Sequence, residues 1–172
     1  MQGSARGHHA PVTATASDER IIGVVSDTHG LLRADAVRAL QGSEIILHAG
    51  DIGDESVLDG LGRIAPVRAV RGNIDWERWA IVLPERLSVE VGGLRMCVLH
   101  DVGRLGIDPR AAGYSVVVHG HSHQPRSEVR DGVLYFNPGS AGPLRFHMPV
   151  SVGRLVIQGE AVRGSIIELG VA

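Results

Sequence analysis

Three short apolar runs in the first seventy residues, separated by amphipathic stretches, constrain the fold more than any other feature. Residues 20–25 (RIIGVV), 45–49 (IILHA) and 66–70 (PVRAV) are too short for helices. They are nearly continuous in apolar side chains, as strands covered on both faces must be. Between the first two, residues 31–40 place apolar side chains near helical spacing, with Gly42 as a stop. Between the second and third, residues 54–62 (DESVLDGLG) predict a short helix with an acidic head, where the helix dipole favours negative charge. Parallel strands need long crossovers, so this β-α-β-α-β order predicts a parallel sheet covered by helices.

The second half is richer in strands. Residues 87–91 and 94–99 flank Gly92-Gly93, residues 128–130 and 133–136 flank Asp131-Gly132, and residues 151–158 and 161–168 flank Gly159. Each is a hairpin signal. Residues 116–118 (VVV) form a further short buried strand. Parallel pairing early and hairpins late predict an α/β fold of two packed mixed β-sheets flanked by helices. Aromatic residues are only 3% of the chain, so Val, Ile, Leu and Ala must build the core. A hydrophobic fraction of 44% with 21% charged residues excludes wholesale disorder. Residues 1–18 lack apolar periodicity and read as a mobile tail, His8 and His9 included; residues 19–172 are expected to form one domain.

Charge and cysteine content narrow the partners. The formal net charge is −2, which supplies no field for capturing nucleic acid or an anionic membrane. No apolar run approaches the ~18 residues of a membrane span, and the start lacks the apolar stretch of a secretory signal. The single cysteine, Cys97, forbids an intrachain disulfide and fits a reducing compartment, so a cytoplasmic location is expected. The expected partner is a small substrate, with a homo-oligomer left open.

Five apolar runs end at once on a turn and a metal-competent side chain. Residues 21–25 lead to Ser26-Asp27-Thr28-His29, 45–49 to Gly50-Asp51, and 66–70 to Arg71-Gly72-Asn73; 94–99 lead to His100 and 116–118 to His119-Gly120-His121-Ser122-His123. Sites in α/β sheets form where strands end, so Asp27, His29, Asp51, Asn73, His100, His121 and His123 are expected to converge. They offer oxygen and imidazole nitrogen without thiolate, a donor set suited to Mn, Fe, Co, Ni or Zn. Seven exceed one tetrahedral ion but suffice for two ions sharing a carboxylate. The spacing of two in Asp27-x-His29 and His121-x-His123 aims both side chains one way if the segments are extended.

Taken together, Asp27-x-His29, Gly50-Asp51, Gly72-Asn73-x-Asp75, His100 and Gly120-His121-x-His123 resemble the calcineurin-like metallophosphoesterases. The size and Asn137-Pro138-Gly139-Ser140 resemble the small phosphodiesterase branch that includes the retromer scaffold subunit. The resemblance implies a β-sandwich flanked by helices. It implies one divalent ion, manganese foremost, on Asp27, His29, Asp51 and His123. A second would sit on Asp51, Asn73, His100 and His121. Asp51 and a water or hydroxide would bridge them, with catalysis resting on Asp51, Asn73 and His100. Two divalent ions against two carboxylates and a hydroxide leave a formal residual of about +1, which favours a phosphoryl group. The implied function is phosphodiester hydrolysis; a phosphomonoesterase or phosphoprotein phosphatase, or a scaffold without catalysis, are the alternatives.

Two positions depart from the family pattern. Ile74 stands where many members carry a histidine that protonates the leaving oxygen, which implies a preference for good leaving groups. Asp101 stands where Gly usually follows the histidine; it either orients His100 or is solvated. Asp75 is expected to structure its loop or support the site. His48 and His119 read as hydrogen-bonded core or supporting groups, His147 as a loop residue and Cys97 as a buried apolar group. Trp76 and Trp79 either wall a pocket or anchor their loop, and Arg145 either contacts phosphate or packs as an ordinary arginine.

Overall fold

In the computed structural model, residues 19–145 and 147–170 are described. The expected tail over residues 1–18 lies outside them. The elements are β1 (Arg20–Val25), α1 (Ala34–Ala39), β2 (Ile45–His48), α2 (Glu55–Gly62), β3 (Val67–Ala69), β4 (Arg86–Val91), β5 (Leu94–Leu99), β6 (Val116–Val118), β7 (Arg126–Arg130), β8 (Val133–Asn137), β9 (Ser151–Gln158) and β10 (Ala161–Glu168).

They form two mixed sheets of five strands, in the orders β10-β9-β1-β2-β3 and β4-β5-β6-β8-β7. In the first, β1, β2 and β3 run parallel, while β9 returns antiparallel to β1. In the second, β5, β6 and β8 run parallel, edged by the hairpin partners β4 and β7. All three glycine-marked hairpins form, β7 starting two residues before its expected position.

The period of two decides which face each side chain serves. Ile22 and Val24 of β1 join Leu47, Met96, Val98, Val116, Val118, Phe136, Leu155 and Ile157 between the sheets. Val25 and Ile46 turn the other way and pack with Ala36 of α1, Leu40 at its C-terminal end, and Val57 and Leu61 of α2. Cys97, Val117 and Val133 bury the outer face of the second sheet with Leu99 and Leu105. A Cβ on Gly23 would lie 2.8 Å from Leu40 Cδ2, so this glycine lets α1 settle onto β1. Phe136, the largest fully buried side chain, lies against Gly153 and Gly164 of β9 and β10.

The first helix is shorter than its apolar spacing predicts. Of the expected residues 31–40, Leu31 instead closes a turn, its N–H donating to Thr28 O at 2.9 Å, and the helix begins at Ala34. His29 N–H donates to Asp51 O at 3.0 Å and Gly30 N–H to Ile52 O at 2.7 Å. The loop after β1 is thus sewn to the loop after β2. The second helix matches its acidic-head reading, with the Asp54 carboxylate accepting from Ser56 N–H at 2.9 Å as N-cap. No helix among the described residues is long and apolar enough to cross a membrane.

Candidate metal centre

The ends of β1, β2, β3, β5 and β6 gather at one rim, and the backbone there is unusual. Asp27 (φ 54°), His29 (46°), Asp51 (54°), His121 (70°) and His123 (59°) all adopt the left-handed conformation. Among the described residues only Asp131 and His147 join them outside glycine. The conformation costs an L-residue roughly 1–2 kcal/mol, and such strain concentrates at functional sites. The loops are held by Asp27 N–H to Gly50 O and Gly120 N–H to His100 O, at 3.0 and 2.9 Å. This corrects the spacing-two expectation. Asp27-x-His29 and His121-x-His123 converge through paired left-handed residues in sharp turns, not through extended backbone.

Two clusters of donor atoms result. In the first, His123 Nε2 lies 3.2 Å from Asp27 Oδ1 and 3.3 Å from His29 Nε2. Asp27 Oδ1 is buried with no hydrogen-bond partner among the described residues. In the second, Asn73 Oδ1 lies 3.0 Å from His100 Nε2 and 3.1 Å from His121 Nδ1. Asp51 faces both clusters: Oδ1 is 3.3 Å from His100 Nε2 and Oδ2 is 4.0 Å from His29 Nε2. All seven sequence-derived candidates therefore meet.

The donor chemistry fits cations in both clusters. His100 Nδ1–H donates to Ala49 O at 2.7 Å, which leaves the Nε2 lone pair of the neutral ring aimed at the Asn73 and Asp51 oxygens. An orphaned carboxylate oxygen facing two imidazoles, and an imidazole lone pair facing two oxygens, are both satisfied by a divalent ion.

Protonation equilibria reflect this crowding. Burial drives His29 below its ordinary value, reinforced by the Arg145 charge and opposed by Asp51 and Asp27. Burial also opposes protonation of His100, but the hydrogen bond and charge of Asp51 outweigh it and raise that histidine. Burial disfavours the Asp51 carboxylate, yet His100 and the Ile74 amide hold it below the usual range.

Supporting groups fix the loops. The Asp75 carboxylate accepts from Ile52 N–H (3.1 Å), Gly53 N–H (2.9 Å) and Gly72 N–H (2.7 Å), tying the loops after β2 and β3 together. Gly72 touches Asp51 so closely that a Cβ would collide with its carboxylate. His48 Nδ1 accepts from Gly50 N–H at 3.2 Å, so Nε2–H donates to Thr28 Oγ1 at 3.0 Å, and that hydroxyl donates to Ile52 O at 2.9 Å. His119 is buried beside Asn137. Asp101 accepts from Gly103 N–H at 2.9 Å, capping a short turn over Val102–Arg104, so His100 takes its orientation from Ala49 instead.

Three residues named in the sequence have supporting roles that the sequence reading did not assign. Ser26 Oγ–H donates to Asp27 Oδ2 at 2.6 Å, Ser140 Oγ–H to Asp27 O at 2.9 Å, and Asn137 Nδ2–H to Gly120 O at 3.0 Å. Ser26 and Asn137 carried a signal, since each is a polar residue at the end of a buried run; Ser140, beyond Pro138-Gly139, did not.

Beside the second cluster opens a cleft of about 800 Å³, lined by Asn73, His100 and His121 together with Trp76, Arg86 and Arg104. Trp76 both walls this cleft and anchors its loop, its indole N–H donating to Asn73 O at 2.7 Å. Trp79 only anchors: it packs on the helix-side core.

Residues 21–160 match the calcineurin-like phosphoesterase superfamily domain. The chain belongs to that superfamily. It is 34% identical over 162 residues to a probable metallophosphoesterase of Methanothermobacter thermautotrophicus, covering 87% of this chain and 93% of the relative. The solved structure of an archaeal phosphodiesterase superimposes with a TM-score of 0.73 at 25% identity, over 86% of this chain and 99% of that one. Vacuolar protein sorting 29 from Cryptosporidium parvum superimposes with a TM-score of 0.71, over 87% and 98% of the two chains. At 19% identity that likeness concerns the fold. The family is one of metal-dependent phosphoesterases, and Asp27, His29 and His123, and Asp27, Asp51 and His100, are groups placed to hold a metal ion.

Proposed function

We propose that this phosphoesterase is a dinuclear phosphodiesterase. The observation that carries the proposal is Asp51, whose two oxygens face different donor clusters. In this reading Asp27, His29, Asp51 and His123 hold one divalent cation, and Asp51, Asn73, His100 and His121 the other. The mixed O/N donors suit manganese, with Fe, Co, Ni or Zn as substitutes. When bound, the ions supply Lewis acidity and an activated water.

The chain's residues do the rest. Ala49 O orients His100, and the Ile74 amide fixes one Asp51 oxygen at 3.1 Å. The Ile74 side chain offers no proton to a departing oxygen, so esters with stable leaving groups are favoured. The likeness to an archaeal phosphodiesterase supports diesters over monoesters.

The test is turnover of bis-aryl phosphodiesters and aryl phosphomonoesters by metal-depleted protein before and after adding Mn²⁺. The expected result is Mn²⁺-dependent diester hydrolysis that chelator abolishes. Faster monoester turnover would favour the phosphomonoesterase alternative. Folded protein that binds no metal and turns over neither would leave the scaffold role, towards which the fold shared with vacuolar protein sorting 29 points.

A further inference from the structure

The cleft beside Asn73, His100 and His121 is larger than one phosphoryl group needs, and its far walls are built from different chemistry. Trp76 is 70% exposed, an unusual position for an indole, yet it is fastened by its N–H to the backbone of Asn73. An aromatic face is thereby fixed beside a candidate ligand. The cleft also holds three arginines against Glu85 and Asp101. Arg71 is committed to Glu85 at 2.9 Å and Ile81 O at 3.2 Å, and Arg86 to the Arg104 and Leu105 carbonyls. The exposed guanidinium of Arg104 has no acceptor among the described residues.

We propose that this cleft is a substrate-arm subsite, and that it takes a nucleotide-like arm: a planar aromatic ring stacked on Trp76, with a second anionic group at Arg104. The proposal rests on the phosphoesterase reading, since the reacting phosphoryl group would sit at the two donor clusters where the cleft begins. Stacking on an aromatic side chain discriminates by ring rather than by base identity, because every base offers a π-face. An arginine fork adds preference for phosphate over an uncharged group. A volume of about 800 Å³ lies within the range of small-ligand pockets.

Calorimetric titration of Mn²⁺-loaded protein with ribose 5-phosphate, adenosine 5′-monophosphate and adenosine 3′,5′-bisphosphate tests both parts. The base is expected to tighten binding about tenfold, and the second phosphate by a further ~5–10-fold. Trp76→Ala should erase the first step, leaving adenosine 5′-monophosphate no tighter than ribose 5-phosphate in the same variant. Trp76→Phe, which keeps a ring, should restore most of it. Arg104→Ala should erase the second step alone. Equal affinities for the three ligands, or steps that persist in both alanine variants, overturn the subsite. Binding steps without any diester turnover would instead sink the catalytic reading and leave the subsite standing. Turnover with no preference for the base would do the reverse.

Discussion

Asp51 holds its two oxygens in different surroundings, and the rest of the account depends on that carboxylate. Asp51→Asn keeps the shape and one acceptor for the Ile74 amide but removes the charge facing both clusters. Diesterase activity should fall by at least about 100-fold with the fold intact, measured as kcat/KM alongside circular dichroism. Near-full activity in this variant would contradict a shared ligand. Ile74 tests the leaving-group side. Its side chain is 42% exposed at the rim, so Ile74→His places an imidazole there without opening the core. A positioned acid contributes typically ~10²–10⁴-fold; far less is expected here, because no neighbouring group is arranged to hold the ring. The gain should grow with leaving-group pKa across a substrate series, giving a shallower dependence than the wild type. An unchanged slope would mean that position 74 does not face the departing oxygen. At this scale the candidate ligands were legible because each lies within five residues of the end of a buried run. The left-handed backbone that aims them was not, since nothing in an Asp or His announces a positive φ.

Elements explain what the individual side chains cannot. The strands were legible from their short β-branched runs and glycine turns, and so was the helix capped by Asp54. The later start of α1 was not, since residue spacing does not encode the turn that Leu31 N–H closes on Thr28 O. His48, at the end of β2, couples those same loops and yields a pH prediction. Burial lowers its pKa to about 4, while the unfolded chain titrates near 6.5. Below pH 6.5 the unfolded state therefore binds more protons than the folded one, and stability falls as pH drops from 6.5 towards 4. The loss attributable to His48 reaches about 3 kcal/mol below pH 4. Urea midpoints at pH 7 and pH 4.5 should differ less in His48→Gln than in the wild type. Equal differences would show that another group controls acid stability.

On the scale of the whole molecule, two sheets bring five strand ends to one rim, and cations there would tie both sheets together. Asp27, His29, Asp51 and Asn73 follow strands of the first sheet; His100, His121 and His123 follow strands of the second. Binding to the folded state alone stabilises it by about 2.7 kcal/mol at a hundred times Kd. Chelation should then lower Tm by about 5–10 °C from that of protein held in such Mn²⁺. An unchanged Tm in calorimetric scans would mean that the rim does not take up the metal. The pairing of parallel strands early with hairpins late was enough to anticipate two packed mixed sheets and the hairpin neighbours, but not how the hairpins sit in their sheets: β8, not β7, lies against β6. The most direct test of the central claim is anomalous diffraction from crystals of this protein grown with Mn²⁺. The account predicts two manganese peaks about 3.5–4 Å apart, flanking the Asp51 carboxylate, one beside His29 and His123 and the other beside His100 and His121. A single peak, or two peaks that do not share Asp51, would contradict it.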